Sequence, residues 1–191
     1  QRRLWILQQL EIDARAYNIP TAVLLEGDFH KDIFSQAMRM VVDRHESLRT
    51  TFAIRNNEPR QVIHSHIGFD IEEYDLRQEA DAMNVAIEKA RAEAQRPFDL
   101  TTGPLMRAVL YHIAETKFVL TVTIHHIIFD GTSDGVLIHD VMHVYQSLVK
   151  KEIPQLAPLR IHYKDFAVWH NTRLASEAMQ EHRVYWLNKL G

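Results

Sequence analysis

His125 and His126 stand side by side at the end of the apolar run KFVLTVTIHH, and Asp130 and Gly131 follow closely in IIFDG. Imidazoles and a carboxylate at this spacing could move a proton, hold a cation or form a buried ion pair. Adjacent side chains on a strand point to opposite faces, so the two histidines cannot share one simple ligand site. Leu120, Val122, Ile124 and His126 fall on one face; Val119, Thr121, Thr123 and His125 fall on the other. The fully apolar face is expected to be the buried one, so that His126 continues a core row and emerges at its end. Gly131 is expected to relieve the backbone where the chain turns sharply, and Thr132 or Ser133 to cap the helix that follows. The positive end of a helix dipole opposes protonation of a nearby imidazole. An ordinary histidine titrates near ~6.5, so this setting predicts a neutral His126, as a general base requires.

Blander assignments compete. A histidine at a strand end is more often a hydrogen-bonded core residue than a catalyst, and with twelve histidines in the chain most must be ordinary. His64 and His66 face the same side of a strand, which suits a solvated edge better than a metal clip. His139 and His143 are four apart on a helix but lack the glutamate of HExxH. His126 and Asp130 would supply two ligands of a facial iron site, and no third ligand is indicated. No GxSxG elbow or phosphate-binding glycine loop is present.

The elements that must position these residues follow from periodicity. A short helix is predicted over 3–10 and a strand over 21–27. A helix is expected over 30–44, with Ile33, Phe34, Ala37, Met38, Val41 and Val42 on one face. Two β-rich runs, 49–54 and 60–65, flank the turn cluster NNEP. A helix over 78–95 stops at Pro97. The strands 105–113 and 117–126 form the best hairpin signal in the chain. A long helix over 133–150 has Leu137, Val141, Val144 and Leu148 as its inward stripe, and two more helices are expected at about 162–173 and 175–190. The pattern predicts an α/β or α+β fold with at least one antiparallel hairpin.

Composition narrows the function. The chain has 191 residues, enough for one domain with a full core. Its net charge of −3 and lack of a long basic run disfavour nucleic acid as a partner. No apolar stretch approaches a membrane span. There are no cysteines, which removes thiolate chemistry and disulfides and fits a reducing, cytoplasmic setting. The first residue is Gln, and both ends fall in helical patterns, so the chain reads as a piece of something longer.

HHIIFDG fits HHxxxDG, the signature of nonribosomal peptide synthetase condensation domains and of their wider acyltransferase superfamily, which includes chloramphenicol acetyltransferase. Other segments agree in order. QRRLWILQQL resembles the tail of the first condensation-domain motif, and YNIP (17–20) follows as in many such domains. RHESLRTTF (44–52) is similar to RHExLRTxF, RPFDLTTGPLMRAVL (96–110) to PFDLxxGPLxRAxL, and YKDFAVWH (163–170) to YxDFAxWQ. The resemblance implies a chloramphenicol-acetyltransferase-like lobe, a mixed sheet flanked by helices, spanning 1–191 as the N-terminal of two lobes. The motifs of the second lobe are absent. His126 then corresponds to the active-site histidine, accompanied by His125. Asp130 corresponds to a structural aspartate whose usual partner corresponds to Arg44, and Gly131 completes the motif.

The implied reaction is amide formation between a donor acyl or peptidyl thioester and an acceptor aminoacyl thioester. Both would ride on 4'-phosphopantetheine arms of peptidyl carrier domains, and the lobe itself would bind no cofactor or metal. Implied partners are the carrier domains, the second lobe and an adenylation domain. Many family members have Trp where Thr132 stands, so the pocket edge is expected to differ. The intact HHxxxDG disfavours the cyclization subtype, and TSDGVL argues against an epimerization domain. Three readings stay open beside condensation: an epimerization domain of the same superfamily, a coenzyme A-dependent acyltransferase, and a non-catalytic carrier-docking module.

Overall fold

The computed structural model describes residues 1–10 and 15–190; residues 11–14 and 191, inside the expected 1–191 lobe, lie outside them. The chain forms two compact units, 1–156 and 157–191.

The first unit is built on a mixed sheet of four strands: β1 (Asn18–Glu26), β4 (Ile71–Asp75), β5 (Met106–Ala114) and β6 (Lys117–His125). They lie in the order β1-β6-β5-β4, with β4 parallel to β5 and the other pairs antiparallel. The β5–β6 hairpin is the one read from sequence. Strand β4 lies outside the expected elements. IEEYD has too few apolar residues to signal a strand, and its pairing with β5 is a long-range contact.

Helices α2 (Lys31–Arg44) and α4 (Gly131–Val149) cover one face of this sheet. Phe34, Ala37, Met38, Val41 and Val42 of α2 join Val141 and Val144 of α4 in one core with Ala108, Leu110, Leu120 and Ile124. Helix α3 (Ala82–Gln95) covers the other face, where Ala86 packs with Val109, Tyr111 and Val119. Both faces of β6 are therefore buried, threonine side included: Thr121 and Thr123 are 5% and 2% exposed. Alternation alone could not foresee this, because Thr packs well in a covered sheet.

Helix α1 (Arg2–Gln9) rests Leu4 and Trp5 on the main core. A second hairpin, β2 (Thr50–Arg55) and β3 (Glu58–Ile63), turns through Asn56 and Asn57, both at positive φ, as the tight hairpin turn requires. The second unit holds α5 (Tyr163–Leu174), a short 3-10 turn (Glu177–Met179) and α6 (Gln180–Leu190). Asp165 accepts from the His162 amide at 2.9 Å and closes the start of α5.

Candidate active site

Strand β6 ends at His125, and the segment 126–130 carries the chain into α4. Ile127, Ile128 and Phe129 are all buried, at 2%, 6% and 7% exposure, and anchor this segment in the core. His126 and Asp130, on either side of them, are exposed.

The backbone of the turn is tightly bonded. The His126 amide donates to the Tyr17 carbonyl at 2.8 Å, and the Ile128 amide to the His125 carbonyl at 3.1 Å. The Ile127 amide donates to His125 Nδ1 at 3.0 Å. The Ile127 carbonyl accepts from Gln1 Nε2 at 2.8 Å, and Gln1 in turn accepts from Gln61 at 2.7 Å. Each bond removes an orphaned polar group from a buried stretch.

His126 does not continue a strand row, because the strand has ended and the turn sets its direction. Its Nδ1 lies 2.7 Å from the Phe129 carbonyl oxygen. A carbonyl can only accept, so Nδ1 carries the proton and, in the neutral ring, the lone pair sits on Nε2. The bond fixes ring orientation and tautomer together, as an orienting group does for a proton-transfer imidazole.

His125 is fully buried, at 0% exposure, with its ring 6.0 Å from that of Phe98 and 6.2 Å from that of Tyr17. Because its Nδ1 accepts from Ile127, it is the Nε2–H tautomer. Burial, with a smaller contribution from His126, pushes its pKa down to about 4. The two adjacent histidines thus have opposite tautomers and opposite surroundings.

The expected Asp130–Arg44 ion pair does not form. Asp130 is the N-cap of α4: one carboxylate oxygen accepts from the Ser133 amide at 2.9 Å and the Ser133 hydroxyl at 2.8 Å. These bonds hold its carboxyl below the usual carboxylate range. The capping residue is thus Asp130, not Thr132 or Ser133, and its charge offsets the positive end of the helix. Arg44 instead donates from Nε to Asp140 at 3.0 Å, and His45 Nε2 lies 2.8 Å from the same oxygen. A guanidinium at the end of α2 finds Asp140 because α2 and α4 pack together, which no local spacing reveals. Asp140 had one sequence signal: it lies three residues from Leu137 and four from Val144, on the inward face.

Gly131 also departs from expectation. It is the first residue of α4, its φ is not positive, and a Cβ there would meet nothing within 4 Å. A pocket of about 250 Å³ lies against this first turn, lined in part by His45, Leu48, Phe129, Thr132, Val136 and Leu137.

His64 Nε2 pairs with the Thr51 hydroxyl at 2.8 Å, and His66 is exposed beside Asp43. His139 and His143 stack at 6.2 Å. Among the described residues, no group of three His, Asp or Glu could hold a metal ion.

With this geometry in place, the relatives are informative. The condensation-domain family model matches residues 1–191. The chain belongs to the condensation-domain family. It is 45% identical over 193 residues to a linear gramicidin synthase of Brevibacillus parabrevis, covering 100% of this chain and 4% of that protein. It is 38% identical over 188 residues to gramicidin S synthase 2 of Brevibacillus brevis, covering 98% of this chain and 4% of the relative. The chain thus spans a small fraction of these relatives. Among solved structures, the starter condensation domain of rhizomide synthetase RzmA superposes with a TM-score of 0.87 at 27% identity, covering 98% of this chain and 45% of that one. The α/β sandwich of a chloramphenicol-acetyltransferase-like lobe is therefore the fold of this condensation-family chain, as its motifs implied. No helix among the described residues is long and apolar enough to cross a membrane.

Proposed function

We propose that residues 1–191 form the N-terminal lobe of a condensation domain, and that His126 serves its active site in joining a carrier-bound acyl or peptidyl thioester to a carrier-bound aminoacyl thioester. The observation that carries this is the exposed His126 ring, whose Nδ1–H is held by the Phe129 carbonyl and whose Nε2 is left as an acceptor. Both substrates would arrive on 4'-phosphopantetheine arms of carrier domains, so the lobe needs no cofactor of its own. A second lobe, carrier domains and an adenylation domain are the partners this reading requires in a cytoplasmic assembly line.

The α-amine of the acceptor attacks the donor thioester carbonyl; a C–N bond forms, the C–S bond breaks, and the thiolate leaves. His126 Nε2 accepts the proton that the nitrogen must lose, and that proton goes to the departing sulfur. Acid–base assistance of this kind contributes typically about 10²–10⁴-fold. Alignment of two tethered reactants contributes at least as much through effective molarity. His125 supports the turn that carries His126, Gly131 opens the helix that follows, Asp130 caps that helix, and Arg44 ties down α2.

In the full-length synthetase, His126→Ala is expected to lower amide formation by at least about a hundredfold with an unchanged melting temperature. Near-normal turnover in a folded variant would rule the role out. A second reading concerns the donor alone. Some crystals of RzmA starter-domain variants contain C8-CoA, and one of these also contains Leu-SNAC. An acyl-CoA donor predicts turnover with soluble acyl-CoA and no donor carrier. An epimerization domain would instead exchange deuterium into the α-carbon of a carrier-bound aminoacyl group, and a docking module would bind carriers without turnover.

A further inference from the structure

Asp140 lies further along α4 than the cap at Asp130, and its side chain is 8% exposed. Oδ2 accepts from Arg44 Nε at 3.0 Å and lies 2.8 Å from His45 Nε2; Oδ1 lies 3.1 Å from His139 Nδ1. An ionised carboxylate only accepts, so both rings donate to it. Burial works against its charge, but the bonds from His139, His45 and Arg44 outweigh that and keep its carboxyl below the ordinary range.

Beside one aromatic contact, Phe34 edge-on to Tyr145 at 5.7 Å, the remaining contact between α2 and α4 is aliphatic: Ala37, Met38, Val41 and Val42 share a core with Val141 and Val144. Aliphatic contact is non-directional and does not by itself fix where one helix stops along another. Polar bonds are directional. Among the described residues such bonds join α2 to α4 at both ends of α2: the Asp140 cluster at Arg44 and His45, and the His30 amide donating to the Tyr145 hydroxyl at 3.0 Å. They set the placement of α4. Its N-terminus follows directly on the segment that ends in Phe129 and Asp130, and the Phe129 carbonyl holds His126.

We propose that Asp140 is a positioning residue for His126: by locking α4 to the 44–45 end of α2, it holds the Phe129 carbonyl that fixes the direction and tautomer of the imidazole. This rests on the reading of His126 as the site imidazole.

The test is a double-mutant cycle in the full-length synthetase, loaded with carrier-bound donor and acceptor. Asp140→Asn alone is expected to lower turnover about ten- to a hundredfold, with the apparent KM for carriers changed by less than about twofold. Added to His126→Ala, it is expected to cost less than about twofold, because residues that act through one another are not additive. An equal loss in both backgrounds would mean that Asp140 serves the fold and not His126. A readout without turnover is the rate at which diethyl pyrocarbonate modifies His126, followed by peptide mass spectrometry. Asp140→Asn should change that rate by at least about twofold, leaving exposed His182 as an internal standard. No change at His126 overturns the proposal. If Asp140→Asn does not yield folded protein, His45→Gln removes one donor and must show the same pattern at smaller size. Near-normal turnover of His126→Ala sinks the assignment of His126 itself, a separate failure, and the modification rate then still decides on Asp140.

Discussion

The two adjacent histidines differ because a single residue step moves the ring from the interior to solvent. His125 supports the turn: its Nδ1 takes the Ile127 amide, and this requires an unprotonated nitrogen. Its folded-state pKa of about 4 lies below the ordinary ~6.5 of an unfolded histidine. Between those values the unfolded chain binds more protons, so stability is full above about pH 6.5 and falls as pH drops toward about 4. The full effect is on the order of 3 kcal/mol. Urea midpoints measured from about pH 7.5 to 4.5 should decline over that window, and His125→Asn should flatten the decline while lowering stability at the upper end. A slope as steep in the variant as in the parent would show that another group sets it.

At the scale of elements, α4 follows directly on the candidate site, and its start is set by a cap. Asp130→Ala is expected to cost about 1 kcal/mol, the usual worth of an N-cap, whereas breaking a buried ion pair costs about 3–5 kcal/mol. Thermal unfolding separates the two, and a loss in the larger range would contradict the capping role. Two glycines make a contrasting pair. Gly103 has φ +60°, and a Cβ there would lie 2.8 Å from Thr51 Cγ2 and 3.0 Å from Ile67 Cδ1. Gly103→Ala should therefore destabilise by roughly 1–3 kcal/mol. Gly131→Ala, in a helical and open position, should leave stability equal or slightly higher. A lower melting temperature for Gly131→Ala would reveal a conformational demand that its φ does not show.

For the whole molecule, the core is concentrated in the first unit, and the second unit has no buried residue in α5 or α6. Trp169, Trp186, Tyr185 and Leu187 are each more than half exposed. Across the 156/157 boundary, residues 152–162 have no helix or strand, and Ile153 is 85% exposed. Trypsin should cut the isolated 1–191 chain first at Lys151 or Arg160, before the first unit loses its near-ultraviolet dichroism. Early cleavage at Arg107 or Lys117 instead would place the weakest part within the central hairpin.

The alternation of helices and strands, the apolar faces of α2 and α4, the β5–β6 hairpin and the family are all legible in the chain alone, because each is written in local period or in short motifs. His126 is singled out in the same way, through its motif. Strand β4 is not legible, since its short IEEYD pairs in parallel with the distant β5, and neither is the burial of the threonine face of β6 under α3. The motif assigns Arg44 to Asp130, and only the packing of α2 on α4 brings that arginine to Asp140. The folded chain also decides which histidine reaches solvent. A strand's alternation stops where the strand does, and beyond that point the direction of a side chain depends on hydrogen bonds to groups that only tertiary structure brings near.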